Sequence, residues 1–154
     1  MSTETPELDP TSRRIVAALD EEPRATLGWL AAKLRLARGT VQGRVAALFA
    51  PGVLRPPSVL VKTASLGLPM RALVTANVDQ DQFDATMVGL RAIPEVLECV
   101  ATSGVNDLYC QVAVRDSDHL YEVGQSILRT PGVRRTATSI VLRELIEYRT
   151  SQLL

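Results

Sequence analysis

No aspartate or glutamate occurs between Glu22 and Asp79, a gap covering more than a third of the chain. Other scarcities narrow the chemistry. Cysteine is limited to Cys99 and Cys110, each inside an apolar, strand-like run, which suits buried, reduced thiols better than a disulfide framework or metal site. Histidine occurs once, at His119 behind Asp116-Ser117-Asp118, and reads as a surface or capping residue at a helix start. No phosphate-cradling glycine loop precedes a helix, and there is no nucleophile elbow, so no catalytic residue, metal or cofactor is expected. No apolar run approaches the ~18 residues of a membrane span. The opening MSTETPELDP lacks the basic and apolar regions of an export signal, so a cytoplasmic location is expected.

The chain carries 17 Lys plus Arg against 17 Asp plus Glu, a net charge of zero that by itself argues against a polyanionic partner. Its distribution argues the other way. Arg24, Lys33, Arg35, Arg38, Arg44, Arg55, Lys62 and Arg71 all lie in the acid-free stretch, leaving nine positive and 17 negative charges elsewhere. Such segregation gives one region an attractive potential for phosphates while the whole stays neutral. With 154 residues, 46% hydrophobic and 22% charged, the chain suits one ordinary soluble domain or two small ones.

Residues 1 to 8 read as a disordered tail. Asp9 to Ser12 supply polar capping groups for a helix of about Thr11 to Leu19, which the Asp20-Glu21-Glu22-Pro23 cluster ends. Thr26 caps a second helix, Leu27 to Lys33, with Leu27, Leu30, Ala31 and Leu34 at helical spacing. A third runs from about Arg38 to Ala50, with Val41, Val45, Leu48 and Phe49 on its apolar face, and Pro51 and Gly52 stop it. The four-residue turn around Leu34 to Ala37 is helix-turn-helix spacing. Val53-Leu54 and Val59-Leu60-Val61, flanking Arg55-Pro56-Pro57-Ser58, predict a hairpin that acts as a wing. Residues 62–69 contain Gly67 and Pro69 and are assigned as a linker.

The second half alternates between periods. Met70 to Val78 has strand periodicity, with Ala72, Val74, Ala76 and Val78 on one face and Arg71, Leu73, Thr75 and Asn77 on the other. There follow a helix at about Asp81 to Ala92, strands at Val96 to Thr102 and Leu108 to Arg115, a helix at Ser117 to Arg129 and a strand at Val133 to Leu142. The segments IPEVLECVATS and TPGVRRTATSI echo one another. The order βαββαβ predicts a ferredoxin-like four-stranded antiparallel sheet backed by two helices. The fold class is therefore α+β, with a winged helix-turn-helix domain over residues 1–61, a linker over 62–69 and a ferredoxin-like domain over 70–154. A second subunit is expected to cover the other sheet face.

With these elements in order, the chain resembles the leucine-responsive/asparagine-regulator (Lrp/AsnC, feast/famine) transcription factors over nearly all its length. LDPTSRRIVAAL (8–19) resembles the opening helix, RATLGWLAAKLRLARGTVQGRVAAL (24–48) the helix-turn-helix, and PGVL (51–54) the step into the wing. PEVLECVATSGVNDLYCQVAV (94–114) and PGVRRTATSIVL (131–142) resemble segments of the ligand-sensing domain. There are departures: Ser12 stands where the family usually has an acid, Ala37 where it has a serine cap, Gly39 and Gly43 where it has better helix formers, and Phe49 where it has glutamate. Each helix-interior glycine costs about 0.5–1 kcal/mol relative to alanine, and the missing cap about 1 more. Glycines also reduce bulk where a helix approaches a groove.

The major groove admits one helix whose exposed side chains reach base edges. Arg38, Thr40, Gln42 and Arg44 are the candidate readers of double-stranded DNA, and Arg24, Arg35, Arg55 and Lys62 the candidate phosphate contacts. Ser103-Gly104-Val105-Asn106-Asp107 is first a hairpin turn, with glycine and Asn-Asp supplying positive-φ positions. The resemblance implies more for it. Its backbone N–H groups and the Asp107 carboxylate would meet the charged groups of an amino-acid effector at a contact between dimers, with Thr136 and Thr138 as hydroxyl donors. It also implies a homodimer, assembling to a tetramer of dimers, whose DNA binding the effector changes. Two alternatives stay open: a sirohaem-decarboxylase-like enzyme on the same architecture, which one histidine and few aromatics disfavour, and a ligand-binding module that has lost operator recognition.

Overall fold

A computed structural model describes residues 7–50 and 53–154. The chain divides into two compact units, Met1–Leu60 with Ile146–Leu154, and Val61–Leu145. The first unit is built on three helices. Helix α1, Pro10–Glu21, starts where proline is tolerated, at a first turn whose N–H groups lack intrahelical partners. Asp9 caps it, its carboxylate accepting from the backbone N–H groups of Thr11 at 2.9 Å and Ser12 at 3.0 Å. Helix α2, Leu27–Leu34, is capped by the Thr26 hydroxyl, which accepts from Trp29 N at 3.1 Å. Helix α3, Arg38–Leu48, begins at Ala37 without a side-chain cap and ends short of the expected Ala50. Ile15, Ala18, Leu30, Leu34, Val41 and Leu48 form the core that joins the three.

The turn between α2 and α3 is closed by backbone bonds from Leu36 N to Ala31 O at 3.0 Å and from Arg35 N to Ala32 O at 3.3 Å, a Schellman closure. That closure requires a left-handed residue. Arg35 takes the position, with φ 55° and ψ 47°, where glycine would sit without strain. Arg14 adds a charged cap, its guanidinium donating to Leu34 O at 2.9 Å at the negative end of α2.

The expected wing hairpin is not formed. Val53 and Leu54 lie in a turn, and Pro57–Leu60 is a single 3-10 turn. The reason lies in Pro56-Pro57: neither residue has an N–H to donate to a ladder, and their fixed φ suits the start of a tight helical turn. Pro51 and Gly52, the expected helix stop and the start of the PGVL segment, lie outside the described residues, as does most of the tail expected to be disordered. In the expected linker, Thr63–Leu66 is another 3-10 turn, closed by Gly67 at φ 78°.

The second unit is a four-stranded antiparallel sheet with helices between strands: β1 (Met70–Val78), α4 (Phe83–Arg91), β2 (Val96–Ala101), β3 (Leu108–Val114), α5 (Ser117–Leu128) and β4 (Val133–Ile140). The strand order is β2-β3-β1-β4, with β1 and β3 central. β1 alternates as its sequence dictates. Ala72, Val74, Ala76 and Val78 are buried in one core with Leu90, Leu108, Cys110, Val112, Val114, Leu120, Val123 and Ile127. Leu73 and Thr75 lie on the other face, in register with Gln111 and Tyr109.

The connection from α5 to β4 is tight. Gly132 has φ 81°, and a Cβ there would lie 2.5 Å from Thr86 Oγ1 and 2.9 Å from Gln82 Cβ. The hydroxyl of buried Thr86 is within donating distance of Gln82 O at 3.0 Å and Pro131 O at 2.6 Å. His119 is not a surface residue. Its backbone N–H is capped by Asp116, but its ring is buried; Nδ1 accepts from Arg115 N at 3.2 Å and Nε2 faces Glu95 Oε1 at 3.2 Å. The apolar side of amphipathic α5 carries it inward beside Leu120 and Val123. Cys110 is fully buried and Cys99 half-buried, both as free thiols.

Candidate functional site

On α3, Val41 and Leu48 are buried and Val45 half-buried, which fixes the side facing the core. Arg38, Thr40 and Gln42 are exposed around the rest of the cylinder. At 100° per residue the point farthest from Val41 falls between Gly39 and Gly43, so the outermost strip carries nothing larger than a methyl group. Arg44 is engaged differently from the other three: its guanidinium forms an ion pair with Asp9, the cap of α1. The Ser12 backbone N–H, with the Ser12 hydroxyl and Arg44, holds the Asp9 carboxyl below its usual value despite an opposing contribution from desolvation.

The other cations lie at segment ends. Arg24 follows α1 in the loop where its backbone N–H donates to Glu22 Oε1 at 3.3 Å. Arg35 is the left-handed residue of the interhelical turn, and the Arg55 guanidinium lies 5.7 Å from the centre of the Tyr148 ring. Lys62 is exposed at the start of the second unit. Sequence reasoning missed Asp9 and Arg14 as the groups that tie these helices together. Only the Asp9 cap could be read locally; the partners of both residues lie 20 or more positions away.

At the end of the sheet where β1 finishes, the β2–β3 turn hangs from that strand. Asp107 N donates to Ala76 O at 3.0 Å, Asp107 Oδ2 accepts from Val78 N at 2.9 Å, and Asn77 Nδ2 donates to Val105 O at 2.8 Å. The turn is further closed by Thr102, whose N bonds Asp107 O at 2.9 Å and whose hydroxyl bonds Asn106 O at 2.6 Å. Gly104, Asn106 and Asp107 do not have the positive φ expected of them: among the described residues only Arg35, Gly67 and Gly132 do. Side-chain bonds from Thr102 and Asn77 shape this turn instead, so no left-handed residue is needed.

Ser103, Gly104 and Val105 are exposed, Val105 at 91%. Thr136 is opposite Ala76 on β1, so the sheet register brings it to the same end as Asp107; Thr138, opposite Val74, is one pleat further in. Two groups at this end were not anticipated. Arg134 donates to Asp79 Oδ2 at 2.8 Å, and that bond, more than the charge, holds the Asp79 carboxyl below its usual range. The pairing raises Arg134 in turn, with Asp81 and Asp107 adding to the effect. The adjacent Arg134-Arg135 after Pro131-Gly132 was the available signal. Among the described residues, no group of three or more His, Cys, Asp or Glu is placed to hold a metal ion, and no helix is long and apolar enough to cross a membrane.

Comparison with known proteins agrees with this two-part geometry. Residues 8–48 match the AsnC-type helix-turn-helix domain, and residues 71–151 match the Lrp/AsnC ligand binding domain. The chain is 31% identical over 144 residues to the HTH-type transcriptional regulator Rv2324 of Mycobacterium tuberculosis, covering 91% of this chain and 95% of that one. Among solved structures it is similar to the transcriptional regulator NMB0573 of Neisseria meningitidis, crystallised as an L-Met complex, with TM-score 0.80, 27% identity, and coverage of 96% of this chain and 100% of that one. It shares its fold with E. coli AsnC at TM-score 0.83 and 22% identity, over 95% of this chain and 99% of the other. A three-helix unit with helix-turn-helix spacing, a βαββαβ sheet and these matches together assign the chain to the Lrp/AsnC family of transcriptional regulators.

Proposed function

We propose that this protein binds duplex DNA in a sequence-specific manner through α3, as a regulator rather than an enzyme, and that an amino acid bound at the Ser103–Asp107 end of the sheet modulates that binding. One observation carries the DNA reading: Arg38, Thr40 and Gln42 are exposed together on the second helix of a helix-turn-helix, in a stretch of sequence without acidic residues. Arg38 and Gln42 carry the donor groups suited to guanine and adenine edges. Arg24, Arg35, Arg55 and Lys62 are assigned to phosphates, and Arg44, anchored on Asp9, to positioning the helix. The amino-acid reading is supported by the L-Met complex of the Neisseria relative. It is also supported by the opposed charges at this end of the sheet, where Asp107 suits an ammonium group and Arg134 or Arg135 a carboxylate.

A homodimer, assembling further into a tetramer of dimers, completes the proposal. The sheet face opposite the helices carries Leu73, Tyr109 and Val100, and packing against a second copy removes this apolar surface from water. Paired recognition helices then have to meet half-sites one DNA turn apart, about 10 base pairs, and effector-driven assembly sets that spacing. A DNA-binding regulator of this kind would act in the cytoplasm.

The test is a gel-shift assay on DNA upstream of the protein's own gene, combined with a thermal-shift screen of the twenty amino acids. Arg38→Ala and Gln42→Ala are expected to lower specific affinity by about tenfold or more each, with assembly intact. Unchanged affinity in both removes α3 as the reader. Asp107→Ala is expected to abolish the response to the stabilising amino acid, and a retained response removes the proposed pocket.

A further inference from the structure

Cys99 on β2 and Cys110 on β3 are directly opposite one another in the antiparallel register, and both side chains lie on the helix-covered face, packed in the same core. The backbone bonds show what kind of pair this is. At one end of the ladder Ala113 N bonds Glu95 O, and at the other Thr102 N bonds Asp107 O. The Ala113 N–H and the Asp107 carbonyl thus turn toward β2, and strand alternation from Ala113 gives 109 and 111 the same direction. Cys110 is out of phase with them and turns its backbone toward β1. Cys99 and Cys110 are therefore a non-hydrogen-bonded pair, the kind whose Cα atoms approach to about 4.5 Å with side chains closest. That lies inside the roughly 4.4–6.8 Å window of a disulfide.

We propose that Cys99 and Cys110 form a dithiol that a hydroperoxide converts to an intramolecular cross-strand disulfide, a modification site on the hairpin that carries the Ser103–Asp107 turn. The two sulfurs have distinct parts. β2 is an edge strand and Cys99 is half-buried, so Cys99 is reached first. Cys110 is fully buried, and burial, with Cys99 beside it, pushes its thiol up to about 12, which keeps it protonated until the second step.

The Cys99 thiolate, its proton lost to solvent, attacks one peroxide oxygen. The O–O bond breaks, an S–O bond forms, and the departing hydroxide or alkoxide takes up a proton. The Cys110 sulfur then attacks the Cys99 sulfenic acid; an S–S bond forms, the S–O bond breaks, and hydroxide leaves with the Cys110 proton as water. Two thiols are oxidised and one peroxide is reduced to water or an alcohol. The bridge closes a ring from residue 99 to residue 110 and so stiffens the turn between them.

The full-length reduced protein is treated with equimolar hydrogen peroxide, then denatured for thiol counting and peptide mapping. Both thiols are expected to disappear together, with one intrachain link between residues 99 and 110, a mass lower by two hydrogens, and full recovery on adding dithiothreitol. Cys99→Ser is expected to slow loss of the Cys110 thiol at least tenfold. Hydrogen exchange of the 102–107 amides is expected to slow on oxidation of the wild-type protein, a readout that needs no variant to fold. Two intact thiols, a link between chains, or Cys99 oxidised further with Cys110 still a thiol would each overturn the proposal, and unchanged exchange would overturn the stiffening. The disulfide is read without any effector, so loss of the amino-acid response in Asp107→Ala bears on the proposed ligand site alone.

Discussion

Arg44, midway along α3, is ion-paired with Asp9, the residue that caps α1, so one carboxylate both starts the first helix and holds the helix proposed to read DNA. Asp9→Asn separates these duties, because asparagine caps as well as aspartate but carries no charge. If Arg44 acts by positioning α3, Asp9→Asn and Arg44→Ala weaken DNA binding to a similar degree, and the double variant is no worse than either. Should Asp9→Asn instead raise affinity, Arg44 is a DNA contact that Asp9 restrains. Gel-shift titrations of the four proteins separate these outcomes.

Acid sensitivity follows from two depressed carboxyls. Ser12 N–H holds Asp9 down, and Arg134 holds Asp79 down. A carboxyl whose folded pKa lies below its unfolded value contributes stability that is complete above the unfolded value, here 3.8, and is lost as pH falls through the folded value. Thermal melts are expected to be insensitive to these two groups from neutral pH down to about 5, and to lose their contribution below about 4. Asp79→Asn should flatten that acid limb and, at neutral pH, match the wild type less closely than at pH 3.

Arg35 holds a left-handed conformation that costs a residue with a Cβ about 1 kcal/mol, while its side chain is assigned to phosphate. Arg35→Gly should therefore raise the melting temperature and weaken DNA binding at once, with the log-affinity against log-salt slope falling by about 1. A variant that gains stability and loses no affinity would free Arg35 of its DNA role.

Two glycines are expected to respond in opposite directions. Gly43 is in the middle of α3, and a Cβ there meets nothing within 4 Å. Gly43→Ala should stabilise the first unit by about 0.5–1 kcal/mol. Gly132 has φ 81° and a Cβ there would collide with Thr86, so Gly132→Ala should cost about 2 kcal/mol or more. Chemical denaturation of each variant measures both.

His119 has a structural part in the second unit. Its Nδ1 accepts a backbone N–H inside the fold, and His119→Ala leaves that donor without a partner, costing about 1–3 kcal/mol. DNA affinity, measured at a temperature where the variant is folded, should not change.

Most of the element order was legible in the sequence because its periods are clean. The alternation from Met70 to Val78 and the 3.6-residue spacing in Ile15, Val16 and Leu19 leave little choice of structure. Misses arose where backbone chemistry or distant partners decided. Two consecutive prolines removed the donors a wing hairpin needs. β4 stops at Ile140 rather than Leu142 because, past the bond from Val141 N to Arg71 O, no further pairing holds it. The turn at 103–107 suggested glycine geometry, yet Thr102 and Asn77 supply hydrogen bonds that make it unnecessary. Arg44 looked like Thr40's neighbour on one face; only folding brings Asp9, 35 residues earlier, against it. For the site itself, composition located the cations and the candidate turn, but the Arg134–Asp79 pair required the sheet register.

The suspension of the 103–107 turn from the last residues of β1 makes that strand a strut. Its nine residues span about 30 Å, paired with β3 from Met70 to Ala76 and with β4 from Ala72 to Val78. A strand clamped in this way has little room to buckle. Any tug that a bound effector exerted on Asp107 or Asn77 would therefore run along β1 toward Met70, where the covalent path toward the helical unit begins.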